Sequence, residues 1–167
     1  MDDPRLQELF DRQAISDTVI RYATAIDTRD SALFRSCFTD EVYRDFTSFA
    51  GGQAEAIPAD LWVAQVEMGL WGFQATQHIS TNHVVTLNGD EAVCVSYMQA
   101  QHYLPNDEME STVTLGGYYT NTLARTAGGW KIARCVLTIT WETGDRRLFG
   151  LARQRYSGQA AAPGESR

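Results

Sequence analysis

Only three histidines occur in the chain, and two of them fall in one short stretch, ATQHISTNH at residues 75–83, with the third in QAQHYL at position 102. Histidine changes charge near neutral pH, so a sequence that uses it sparingly and in one region points to proton transfer. His78 and His83 are an odd number of positions apart. On a regular strand their side chains face opposite ways, so the pair is not expected to serve one site. With His78 facing a pocket, Ser80 and Asn82 would follow it there, while His83 would point to the other face with Ile79 and Val85. His102 shares its alternation with Cys94, Ser96, Met98 and Ala100, small or apolar residues that suit a pocket wall; an exposed place at the strand end is the other reading. Asp27 stands at the end of an amphipathic pattern, where an acid opposes the helix dipole and gains nothing from it.

These residues need elements to carry them. Leu6, Leu9, Phe10, Ile15, Val19, Tyr22 and Ile26 recur at three- and four-residue steps and predict a long first helix that the turn DTRDS ends. SALFRSCF reads as a short second helix capped by Asp30 or Ser31. DEVYRDFTSF reads as a strand, followed by the Gly-rich loop AGGQAEA. Pro58 opens a further helix through ADLWVAQVEMGLWGF, with Leu61, Trp62, Val66, Leu70 and Phe73 on one face. Four stretches rich in β-branched and aromatic residues follow, joined by the turns NGD, PNDE and AGG. Helices first and an antiparallel meander last predict an α+β domain, a curved sheet capped by the early helices. The domain is expected over 1–156, with the Gly/Ala/Ser/Pro-rich residues 157–167 as a disordered tail.

Composition narrows the function. A net charge of −7 and a pI of 4.9 leave no basic field for nucleic acid. No run approaches the ~18 apolar residues of a membrane span, and no signal region opens the chain. Cys37, Cys94 and Cys135 lack metal or redox spacing and read as core residues of a reduced, cytoplasmic protein.

This order of elements, with the motifs YATAIDTRD, TQHIST, QAQHYL and GGYYTNTLARTAGGWKI, resembles the SnoaL-like branch of the nuclear transport factor 2-like superfamily over residues 5–145. The resemblance implies a cone-shaped, strongly curved mixed or antiparallel sheet, closed by helices around a deep pocket. YATAIDTRD resembles the helix end that carries a catalytic aspartate in scytalone dehydratase and hexachlorocyclohexane dehydrochlorinase, and so assigns that role to Asp27. TQHIST assigns their strand histidine to His78, and QAQHYL places His102 where the dehydratase has a second histidine. Tyr22 resembles a tyrosine of the bile-acid dehydratases. Two departures stand out. Ile26 and Phe46 occupy the places of water-orienting tyrosines, and Gly117 and Tyr119 stand where the dehydratase pocket has a serine and an asparagine.

A carboxylate set against an imidazole fixes its tautomer and raises its basicity. The expectation is therefore a cofactor-independent lyase or isomerase in which Asp27 orients His78, with His102 or Tyr22 as proton donor. A non-catalytic small-molecule binding protein, or a polyketide-type cyclase, is the alternative. A two-histidine, one-carboxylate metal site is a further reading that no HxH or HxxxH spacing supports. Tyr43, Phe46, Trp62, Trp71, Met98, Tyr119 and Asn121 are the candidates to line the pocket, and their aromatic character favours a small hydrophobic, cyclic ligand. Arg146, Arg147, Arg153 and Arg155 read as a solvated helix or as a segment folded over the pocket mouth. Finally, Val113, Leu115, Leu123, Ile132 and Val136 are expected on the bare convex face of the sheet, predicting a homo-oligomer, a trimer rather than a dimer by resemblance.

Overall fold

The computed structural model describes residues 3–161. Helix α1 runs Pro4–Thr28, started by the Asp3 side chain accepting from the Arg5 N–H and by proline in the first turn. Only its later half is packed: Ile15, Val19, Tyr22 and Ile26 are buried, whereas Leu6, Leu9 and Phe10 are exposed. The expected apolar stripe therefore carries the helix into the core from Asp11 onward. Buried Asp11 fixes that point by accepting from both terminal nitrogens of Arg125 at 2.7 and 2.8 Å and from the Trp130 indole at 2.9 Å. The Arg125 bonds outweigh burial and hold its carboxyl down at about 2.

Arg29, in the left-handed conformation at φ 57°, ends α1, and Asp30 then caps α2 (Ser31–Ser36) by accepting from the Leu33 N–H. Strand β1 covers Phe38–Asp45; the chain then makes the helical turn α3 (Thr47–Ala50), so Phe46 and Phe49 leave the strand that the sequence suggested. Strand β2 (Glu55–Pro58) precedes α4 (Ala59–Leu70), and β3 (Ala75–Asn88), β4 (Glu91–Tyr103), β5 (Thr112–Thr126) and β6 (Gly129–Gly144) form the long meander. The six strands make one mixed sheet in the order β2-β1-β6-β5-β4-β3, parallel only between β1 and β6. This is the α+β architecture expected from the sequence.

One face of the sheet, lined on β4 by Cys94, Ser96, Met98, Ala100 and His102, packs with the helices into the core. Val113, Leu115, Leu123 and Ile132 belong to this buried side, not to the convex one, and Val136 is half-buried. The outer face is apolar through other residues, notably Ile79, Tyr97 and Trp141, the last two 58% and 48% exposed. The last helix, α5 (Arg147–Ala161), includes residues 157–161 of the expected tail; residues 162–167 lie outside the described residues. It docks where Gly72 lets the Ala152 carbonyl approach so closely that a β-carbon would sit 1.8 Å from it. No described helix is long and apolar enough to cross a membrane.

Candidate active site

A cavity of about 370 Å³ opens between the sheet, α1, α4 and α5. His78 projects into it from β3, and Asp27 stands behind His78 in the last turn of α1. Asp27 Oδ1 lies 2.7 Å from His78 Nδ1, its Oδ2 accepts the His78 backbone N–H at 2.7 Å, and Thr76 donates its hydroxyl to Oδ1 at 2.8 Å. Burial opposes the charged form of Asp27, but these three bonds more than offset it and hold the carboxyl below its ordinary range. At neutral pH the carboxylate therefore accepts from an Nδ1–H. That tautomer leaves the lone pair on Nε2, the ring nitrogen that Asp27 does not hold.

His102 meets His78 edge-on, with ring centroids 5.4 Å apart, and is enclosed by Phe149 at 4.8 Å and Phe73 at 5.0 Å. Burial, reinforced by the charge that His78 can carry, pushes its pKa down to about 3, so it is neutral throughout the physiological range. Its Nδ1 has no hydrogen-bond partner among the described residues. Tyr22 and Tyr119 also line the cavity, their hydroxyls 3.2 Å apart; burial raises both phenols, which stay protonated. Ile26 and Phe46, standing in place of the water-orienting tyrosines, also line the cavity. Among the described residues no three His, Cys, Asp or Glu side chains converge as a metal-holding set.

Of the candidate lining residues, Phe46, Trp62, Met98 and Tyr119 do face this cavity. Tyr43 does not: β1 turns it away to lie under the Arg134 guanidinium at 4.2 Å, and its neighbour Arg44 points inward instead. Trp71 caps the C-terminus of α4 and lines a separate small crevice with Phe34 and Val63. Asn121 is fully buried, paired in register with Cys94 and Cys135, and does not line the cavity. His83 also departs from its expected place. Asn82, at φ 54°, forms a bulge in β3 that shifts the register between Thr81 and Val84, so His83 and Val85 return to the same face as His78. His83 nevertheless stays out of the cavity, its ring nitrogens 2.6 Å from Ser16 Oγ and 3.0 Å from Ser80 Oγ.

The sequence reading missed Arg44, Gln65 and Phe149. Of the four C-terminal arginines, Arg153 lines the mouth, as the reading of a segment folded over the pocket requires. The buried Cys37 and Cys94 thiols are pushed up to about 11 by their surroundings, and Cys135 higher still, which suits inert core residues.

Residues 7–136 match the SnoaL-like domain. The chain is 31% identical to the terrestric acid biosynthesis cluster protein E of Penicillium crustosum over 85% of this chain and 91% of that one. It is 26% identical to the scytalone dehydratase PfmaJ of Pestalotiopsis fici over 91% and 84%. Among solved structures, the Kfla4162 protein of Kribbella flavida superposes with a TM-score of 0.80 at 30% identity, over 87% of this chain and 99% of that one. A type 2 hexachlorocyclohexane dehydrochlorinase shares the fold, with a TM-score of 0.71 at 19% identity over 84% and 93%.

Proposed function

The chain belongs to the SnoaL-like domain family, and from that premise we propose that it is a cofactor-independent lyase or isomerase acting by general acid–base catalysis on a small hydrophobic, cyclic molecule. The observation that carries this reading is the Asp27–His78 pair set into the wall of an aromatic-lined cavity. His78 Nε2 takes a proton from a carbon next to a carbonyl. The C–H electrons pass into the enolate, while Asp27 holds the resulting imidazolium in place. The enolate then expels a leaving group from the adjacent carbon, or takes the proton back at a different carbon. The protonated Tyr22–Tyr119 pair and neutral His102 are the groups available to donate toward the developing oxyanion or the departing group. Kinship with a scytalone dehydratase supports elimination as the first reaction to assay.

The test is absorbance-monitored dehydration of scytalone and related cyclic β-hydroxyketones. His78→Ala and Asp27→Asn should each lower kcat by about 10²- to 10⁴-fold. Full turnover in both variants would refute the dyad.

A further inference from the structure

The cavity wall carries two cationic side chains, Arg44 and Arg153, and among the described residues that line it there is no aspartate or glutamate. That imbalance is unexpected in a chain whose net charge is −7. Arg44 is the more built of the two. Its guanidinium lies 5.0 Å from the centre of the Trp62 ring, and Trp62 in turn packs against Phe46 at 5.0 Å. One terminal nitrogen engages Glu55 at 2.5 Å. Its Nε is buried with no partner among the described residues. An arginine needed only to balance Glu55 could do so from solvent, where such pairs contribute little. Here the stem is drawn inward over an aromatic face and, with one terminal nitrogen on Glu55, keeps the donor capacity of the other in reserve.

Topology sets where that capacity lies. In the order β2-β1-β6-β5-β4-β3, Arg44 on β1 and His78 on β3 are four ladder steps apart. That is about 19 Å along the sheet at about 4.8 Å per step, shortened to a chord because both strands border one cavity. The cation therefore stands on a different wall of the cavity from the dyad, where it can hold a part of a ligand away from the reacting carbon. From Arg44 the rings of Trp62, Phe46 and Tyr119 follow in contact along the cavity wall, a surface that suits a flat ring system.

Building on the acid–base reading above, we propose that the substrate is a flat aromatic or polycyclic carboxylate whose anionic group is held by Arg44, with Arg153 at the mouth adding to the local positive field. The planar guanidinium fork matches a carboxylate, and in a chain this acidic, a local cationic wall is what would admit an anion.

The experiment uses the full chain and two probes of equal shape, 2-naphthoate and 2-naphthamide, with binding read by quenching of tryptophan fluorescence and by calorimetry. Naphthoate should bind roughly tenfold more tightly than the amide, the size of one charge-assisted contact, and the gap should narrow as salt is raised. Arg44→Met should erase the preference while leaving naphthamide binding intact, which also shows that the cavity has folded. Glu55→Gln, which removes only the ion pair, should keep or widen it. Equal affinity for the two probes, no binding of either, or a preference that survives Arg44→Met would overturn the proposal. So would a preference lost in Arg153→Gln rather than in Arg44→Met. The result is separable from the dyad reading, because equilibrium binding reports no proton transfer: full turnover in His78→Ala and Asp27→Asn with the naphthoate preference retained would leave this inference standing alone.

Discussion

His102 makes the stability of the protein depend on mild acid in a way that can be worked out from its surroundings. The side chain is 2% exposed and its pKa falls from 6.5 to about 3 on folding. A histidine depressed in this way binds its proton in the unfolded chain first. Its contribution is therefore complete above pH 6.5 and is lost as pH falls from there toward 3, with a limiting slope of about 1.4 kcal/mol per pH unit. At pH 5 the unfolded chain carries almost a full proton on this residue and the folded chain almost none. The penalty relative to pH 8 is then about 2 kcal/mol, and it changes little if the folded value is 4 rather than 3, because pH 5 lies above both. Urea titrations at pH 8 and pH 5, on the natural chain and on His102→Gln, isolate the effect. His83, also depressed chiefly by burial, is common to both proteins and cancels. The stability gap between the two proteins should move by about 2 kcal/mol in favour of the variant on going from pH 8 to pH 5. Identical pH dependence would show that His102 is not a buried neutral imidazole and would remove it as an uncharged donor or acceptor beside His78.

Two further outcomes follow from the packing. Gly72→Ala drives a β-carbon into the Ala152 carbonyl, so α5 must shift; thermal unfolding should report a loss of about 2 kcal/mol or more, and ligand binding should weaken with it because Phe149 and Arg153 ride on that helix. The outward sheet face bearing Ile79, Tyr97 and Trp141 predicts self-association: sedimentation equilibrium should give a mass well above the 18.6 kDa chain, a trimer by preference, and Tyr97→Glu should lower it, whereas a single species at the chain mass would refute the interface.

Local chemistry made much of this legible in advance. The DTRDS turn holds both the left-handed Arg29 that ends α1 and the Asp30 cap of α2, so the position of Asp27 in the last turn followed from sequence. Strand β4 alternates without interruption from Ala92 to His102, which is why His102 was assigned to the correct face. Parity failed wherever a strand is irregular or its register is set by a distant partner. A single residue, Asn82, reverses the assignment of His83. On β1, the choice between Tyr43 and Arg44 depends on a parallel pairing with β6 that is itself shifted between Phe38 and Tyr43, and nothing local to DEVYRDF encodes it. The same blindness put Val113, Leu115, Leu123 and Ile132 on the wrong side of the sheet. Depth was equally hidden: Asn121 and Tyr119 share one face of β5, yet only the tyrosine reaches the cavity. The helical character of residues 157–161 was masked by their Ala, Gly and Ser content, which reads as irregular until Leu148 and Ala152 are seen to anchor the helix upstream.

Strand β3 is the last strand of the sheet, so its outer side would present a row of open backbone groups to any passing extended chain. Asp27 occupies one of those positions by accepting the His78 N–H, and Arg12 occupies another by donating to the Val85 carbonyl at 2.5 Å. The carboxylate that orients the imidazole is thus also a sentry against edge-to-edge growth of the sheet. Edge protection and the proposed chemistry then fall on one carboxylate, the first through Oδ2 and the second through Oδ1. An acceptor at position 27 thus has a structural use independent of the proposed reaction, and persistence of this aspartate in a relative is not by itself a sign of catalysis.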